Sequence, residues 1–88
     1  MSDHIVLPDG RAWVASSQIV SAVLREASTH VPSQAQALAA WLKDRSEMPN
    51  GLIGFDCRSV PPRHRAEIVL VLGTGATALS ARGAWPGG

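Results

Sequence analysis

Prolines and glycines divide this chain into short segments, and their spacing limits what it can fold into. The turns Pro8-Asp9-Gly10 and Met48-Pro49-Asn50-Gly51 each combine a residue of fixed φ with one that accepts positive φ. Pro32 separates two further segments, because the residue before a proline disfavours the helical region. We therefore expect short strands and helices within a single domain covering residues 1–88.

The first turn joins two short segments of strand-forming residues. Residues 4–15 carry apolar side chains on both sides of the turn, which predicts an N-terminal β-hairpin. If Gly10 forms the bulge of a three-residue loop, then Ile5, Leu7 and Trp13 share one face of the hairpin. That face is expected to point toward the core.

The middle of the chain predicts a pair of helices. Ser16 and Ser17 are candidates for the N-cap of the first helix, which must end near His30 before the proline. Ser33 and Gln36 fit a capping box at the start of the second helix. Apolar residues follow at helical spacing in both segments, and the connection between them is short. This arrangement predicts an αα-hairpin packed on a sheet.

The last third of the chain is ambiguous between helix and strand. Residues 52–57 predict a third strand, and Ser59-Val60-Pro61-Pro62 fits the start of a third helix. The apolar run Ile68–Leu72 equally fits a buried strand, although we favour a helix from about residue 61 to residue 72. Residues 83–88 are expected to form an irregular tail. The predicted fold is a small two-layer α+β domain.

Composition limits the cellular compartment in which we expect the protein and the kinds of partner that we expect it to bind. The net charge is only +1, which does not steer nucleic acid or an anionic membrane toward the domain. The single cysteine cannot form an internal disulfide, and the N-terminus lacks the basic start of a signal peptide. Seven of the eight basic residues are arginine and alanine is abundant, as in proteins from GC-rich bacteria. We therefore expect a protein of the bacterial cytoplasm.

A glycine-rich segment resembles part of a nucleotide-binding motif. Gly73-Thr74-Gly75-Ala76-Thr77-Ala78 fits G-x-G-x-x-G/A, in which glycines let the backbone approach a pyrophosphate. The motif requires a βαβ unit and an acidic residue about 20 positions further on, and only ten residues follow Ala78. We expect instead that Gly73 ends one element and that Gly75 permits a bend. No cofactor is predicted.

Catalytic and metal-binding patterns are weak. Cys57 would need a base such as His64 or His30 beside it to act as a nucleophile, and it lies at the end of a predicted strand. We interpret it as a small buried side chain. Its sulfur and the imidazoles of His4, His30 and His64 are too scattered for a zinc site. We expect no catalytic residues, no bound metal and no enzymatic activity.

Partner binding is the remaining role for two features. The first is a basic cluster made up of Arg58, Arg63, His64 and Arg65. If a helix begins near Pro61, these cations oppose its dipole and invite an anion from a partner. The alternative is local pairing with Asp56 and Glu67, or plain solvation. The second feature is Trp85, which either folds back over the domain or anchors a partner.

These observations favour a small protein-binding module. Its most concrete form is a bacterial immunity or inhibitor protein that binds and neutralises a partner protein such as a toxin. One alternative is a nucleic-acid-associated regulator that uses the cluster from Arg58 to Arg65, although the second predicted helix presents few cations. A second alternative is an accessory subunit of an enzyme.

Overall fold

A computed structural model describes residues 2–49 and 51–85 and confirms the α+β fold. Within these ranges the elements, in chain order, are β1 (Ser2–Val6), β2 (Ala12–Ser16), α1 (Ser17–Ser28), α2 (Gln36–Ser46), β3 (Gly54–Asp56) and α3 (Pro62–Arg82). Short 3₁₀ turns, Ser33–Ala35 and Cys57–Ser59, precede α2 and α3. The ambiguous run Ile68–Leu72 is therefore helical. None of the described helices combines the length and apolar character needed to cross a bilayer.

The sheet has three strands in the order β2-β1-β3. β1 pairs antiparallel with β2 and parallel with β3. The predicted hairpin turn is confirmed, because Leu7 N–H donates to Arg11 O at 2.7 Å and Gly10 N–H donates to Leu7 O at 2.9 Å. Gly10 has a φ of 93°, which side chains rarely adopt. The three-residue loop sets the register of the whole hairpin.

One face of the sheet is covered by helices and the other faces solvent. Ile5 lies opposite Trp13 on one side and Phe55 on the other, so these three side chains share the inner face. Ile5 and Phe55 are buried, whereas Trp13 remains 38% exposed. The hairpin face was therefore predicted correctly, although the helices cover its outer strand only in part.

Helix α1 is the centre of the helical layer. The Ser16 hydroxyl accepts from Ile19 N–H at 3.3 Å, so the predicted N-cap is confirmed. Val20, Leu24 and Ala27 are completely buried on this helix. α2 and α3 both pack against α1, and Trp41 of α2 also contacts a ring of β3, 5.4 Å between centroids. The αα-hairpin is thus confirmed.

The predicted capping box of the second helix is wrong. Ser33 lies inside the 3₁₀ turn that precedes α2, and Ala35 occupies the N-cap position without a side-chain cap. A capping box needs its serine in the extended residue before the helix. That extended position belongs here to Pro32, at the entrance of the 3₁₀ turn, so Ser33 is already part of the turn.

The third strand is shorter than predicted. It ends at Asp56 because that carboxylate accepts from Arg58 N–H at 2.9 Å and turns the chain into a 3₁₀ turn. Pro62 is the first residue of α3, as predicted, but the N-cap position is held by Pro61 and carries no side-chain cap.

α3 continues ten residues beyond the predicted end, so the expectation that Gly73 ends an element and Gly75 bends the chain is wrong. Both glycines lie inside the helix, which ends at Gly83 with a φ of 61°. A Cβ on Gly75 would lie 2.9 Å from Ala27 N and 3.1 Å from Ala27 Cα. Gly75 therefore serves the close approach of α3 to α1. The predicted irregular tail begins at Gly83, and its residues 86–88 lie outside the described part of the chain.

A buried carboxylate joins β1 to α1 and to the loop before β3. Asp3 is only 5% exposed and accepts from Ser17 Oγ at 2.6 Å and from Gly51 N–H at 3.0 Å. These hydrogen bonds hold the pKa of Asp3 below its ordinary value, and the Ser17 hydroxyl makes the largest contribution. The carboxylate thereby connects segments that are distant in sequence.

A second polar cluster joins the far ends of α1 and α3. Glu26 accepts two hydrogen bonds from Arg82, at 2.7 and 3.0 Å, and its carboxylate lies 3.0 Å from Nε2 of His30. The Arg82 guanidinium and His30 lower the pKa of Glu26 to about 2, although burial opposes the shift. The Glu26 side chain is 13% exposed.

Replacing Gly75 by alanine should destabilise the domain by about 1–2 kcal/mol. A methyl group there must displace the α1 backbone, a cost of about 1–3 kcal/mol, against about 0.5–1 kcal/mol gained in helix propensity. Gly73→Ala is the matched control, because its methyl group meets no atom within 4 Å. Urea unfolding should show Gly73→Ala as neutral or stabilising. Equal effects of the two substitutions would contradict the close approach.

Glu26→Gln should destabilise the domain near neutral pH and lose its effect in acid. The pKa of Glu26 is about 2 in the folded protein, below its ordinary value of 4.5. The ionised carboxylate therefore stabilises the fold fully above pH 4.5, and this contribution disappears as the pH falls toward 2. Unfolding of both proteins should be followed by circular dichroism across this range. A difference between wild type and variant that stays constant down to about pH 2 would show that the ionised carboxylate is not responsible.

Candidate functional site

The basic cluster lies at the start of α3, and two of its cations, Arg58 and Arg65, bond to other groups of the domain. Arg58 donates to both carboxylate oxygens of Asp56, at 3.0 and 2.9 Å, and this pairing lowers the pKa of Asp56. Arg65 donates to the backbone carbonyls of Val60 at 3.0 Å and Arg58 at 2.8 Å. The Arg65 side chain therefore ties α3 to the preceding turn, and the Arg58 side chain closes that turn onto the end of β3.

The other two members of the cluster contact each other. Arg63 Nε donates to His64 Nε2 at 3.2 Å, and His64 Nδ1 lies 3.8 Å from a carboxylate oxygen of Glu67. Arg63 is exposed, whereas His64 and Glu67 are half-buried. The expected local pairing is present between Arg58 and Asp56, whereas Glu67 Oε1 is buried and accepts no hydrogen bond among the described residues. A role of the cluster in partner binding stays a prediction.

Trp85 lies at the opposite end of α3 from the basic cluster. Its indole Nε1 donates to Ser80 Oγ at 2.9 Å, and its ring packs partly buried against the core. The 21 residues of α3 span about 30 Å, so the predicted site residues do not form one patch. Trp85 folds back on the domain.

The chemical candidates do not assemble a reactive centre. Cys57 is completely buried, and burial together with the nearby Asp56 raises the pKa of its thiol to about 11. The segment Gly73–Ala78 is helical and presents no phosphate-binding loop. Within residues 2–49 and 51–85, no group of three His, Cys, Asp or Glu side chains comes close enough to hold a metal ion.

The outward side of α3 carries exposed apolar residues that the sequence reasoning missed. Leu70 is 70% exposed and Val69 is 42% exposed. They border a shallow depression, here called the α3 face, whose seven lining residues are all uncharged: Val69, Leu70, Gly73, Thr74, Thr77, Ala78 and Ala81. The Thr74 hydroxyl donates to Leu70 O at 2.9 Å, which satisfies it within the helix. The α3 face is therefore almost wholly apolar.

The apolar run Ile68–Leu72 contained the signal for this face. In a helix, five consecutive residues point in all directions around the axis, so one buried side cannot take them all. The structure buries Ile68, Val71 and Leu72 and leaves Val69 and Leu70 outside. A helix over this run must expose some of its apolar side chains, and Val69 and Leu70 are the exposed pair.

An apolar groove adjoins the α3 face. It has a volume of about 320 Å³ and lies between α3 and the β-hairpin. Its lining residues are all apolar or glycine: Ile5, Leu7, Trp13, Val23, Val69, Leu72, Gly73 and Ala76. Val69 and Gly73 border both features, so the groove and the α3 face form one continuous apolar surface.

Comparisons of the chain with known protein families, with curated proteins and with solved structures found no match.

The Cys57 thiol should be unreactive in the folded protein. A pKa of about 11 leaves thiolate on the order of one part in ten thousand at neutral pH, and the sulfur has no exposed surface. A colorimetric thiol reagent should label the protein only after denaturant is added, with Cys57→Ser as the blank. Rapid stoichiometric labelling of the native protein would contradict this burial and revive Cys57 as a nucleophile.

Proposed function

We propose that this domain works by binding another protein, and that the α3 face is its contact surface. The observation that carries the proposal is the exposure of Val69 and Leu70 on a helix side with no charged lining residue. Exposed apolar patches on small domains are typical of interaction sites. Leu70 lies on this face with 70% of its surface available, which makes it the candidate hot spot.

The partner would present an apolar surface of its own. The lining of the α3 face offers no charge to pair with, and the Thr74 hydroxyl is already bonded within the helix. Binding would therefore be driven by burial of apolar area, at roughly 25 cal/mol per Å² removed from water. Shape would decide specificity, since the small residues Gly73, Thr77 and Ala78 leave room beside Leu70 for a partner side chain.

The most concrete form of this function is an immunity or inhibitor protein that neutralises a partner such as a toxin in the bacterial cytoplasm. Small size and a single protected thiol suit an inhibitor in a reducing compartment. The near-neutral net charge favours a partner other than a strongly basic nuclease, whose inhibitors gain from an acidic surface.

Leu70→Glu should abolish partner capture without unfolding the domain. An ionised carboxylate at the centre of an apolar contact should cost about 2 kcal/mol or more, roughly a 30-fold loss of affinity. Leu52→Glu is the matched control, because Leu52 is 62% exposed, lies in the loop before β3 and does not line the α3 face. The full chain and both variants would be used as tagged baits in lysate of the source cells, with mass spectrometry of captured proteins. The captured protein's own activity, with and without the domain, then tests inhibition.

Other outcomes of this capture would redirect the function. A third bait, Arg63→Glu, tests the basic cluster. If this variant loses the partner and Leu70→Glu retains it, the contact surface is the basic cluster. Capture of nucleic acid that weakens steeply with salt would favour the regulator instead. Equal capture by wild type and Leu70→Glu would overturn the α3 face as the contact surface.

A further inference from the structure

Strand β2 is an open edge of the sheet. Leu7 N–H donates to Arg11 O, so these two residues form a hydrogen-bonded pair of the antiparallel strands. Hydrogen-bonded and non-hydrogen-bonded pairs alternate along the strands, so Trp13 and Ala15 direct their N–H and C=O groups toward β1. Ala12 and Val14 direct their N–H and C=O groups away from the sheet, whereas the carbonyl of Ser16, the N-cap residue, belongs to the first turn of α1. β2 is an outer strand of the order β2-β1-β3, and four of its five residues are exposed, Val14 with 63% of its surface.

The β2 edge carries none of the devices that protect such edges. Ala12-Trp13-Val14-Ala15-Ser16 contains no charged residue, no proline and no glycine. The opposite edge differs, since β3 has only three residues and ends at the ion pair between Asp56 and Arg58. An uncharged edge of five residues is a template for another strand.

We propose that β2 pairs with β2 of a second copy of this chain, antiparallel, about a two-fold axis at Val14. The two sheets would then form one six-stranded sheet. At the axis, the Val14 N–H of each copy donates to the Val14 C=O of the other. This interface includes Trp13, which also lines the groove beside the α3 face, but it does not depend on the role proposed for Val69 and Leu70.

The sequence of β2 is complementary to itself in this register. An axis at Val14 places Trp13 opposite Ala15 of the second copy on the inner face. By the same symmetry, Ala15 lies opposite Trp13 of the second copy. Trp13, which its own helices leave 38% exposed, would be covered by a strand with a small residue opposite it. On the outer face the two Val14 side chains meet as a β-branched pair. The net charge of +1 per chain adds little repulsion between copies.

The two-fold contact is tested by the mass of the whole protein in solution. Sedimentation velocity from low micromolar up to about 1 mM protein, where even weak association is populated, should show a species of twice the 9.3 kDa chain. Val14→Lys places two ammonium groups side by side at the axis, and Val14→Pro removes a donor that makes no bond within the monomer. Each should raise the dissociation constant at least about tenfold. Val14→Thr keeps the donor and the branched side chain and should still dimerise.

Amide exchange supplies a second readout that does not rely on variants. In the monomer the Val14 N–H has no strand partner, so it should exchange quickly at low concentration and become protected as the dimer forms. The N–H groups of Trp13 and Ala15 donate to β1 and should stay protected at every concentration.

Three results would overturn the proposal. The first is a wild-type protein that remains monomeric at the highest concentration. The second is a dimer that survives Val14→Lys and Val14→Pro, or that is broken by Leu70→Glu instead, which would place the contact on α3. The third is a different protein that protects Val14 by adding its own strand, which would make this edge a site for another partner.

Discussion

The close contact between Ala27 of α1 and Gly75 of α3 determines which side chains of α3 are buried and which face solvent. With no side chain at position 75, the two helices approach until a Cβ there would lie 2.9 Å from the α1 backbone. That contact turns Ile68, Leu72 and Leu79 toward the core at helical spacing. The same rotation directs Val69 and Leu70 to solvent, so the apolar character of the α3 face follows from how the core is packed.

The charged residues of the domain act mainly on its own structure. Asp3 joins β1 to α1, the pair of Glu26 and Arg82 joins the ends of two helices, and Arg65 binds carbonyls of the preceding turn. Cations used in this way are less available to a partner, because recruiting them would break an internal bond. This favours the uncharged α3 face over the basic cluster as the proposed contact surface.

The two proposed contact surfaces differ in the physical origin of their exposure. The α3 face is apolar because one helix contains more apolar residues than its buried side can take. The β2 edge is open because the sheet stops there, which leaves backbone donors and acceptors rather than side chains to be satisfied. The first suits a partner with a matching shape, and the second suits the same strand of a second copy, as proposed above.

Local signals in the sequence determined the turn at Gly10, the cap at Ser16 and the order of the elements, because each depends on backbone preferences of a few neighbouring residues. The same local reasoning failed at Ser33 and at Gly73, where the path of the chain depends on what lies beside it. Only the tertiary structure decided that Gly75 is a packing residue, that Leu70 is exposed and that Arg65 is bonded within the domain. Contacts between segments far apart in sequence decide those points, and periodicity within one segment does not encode them.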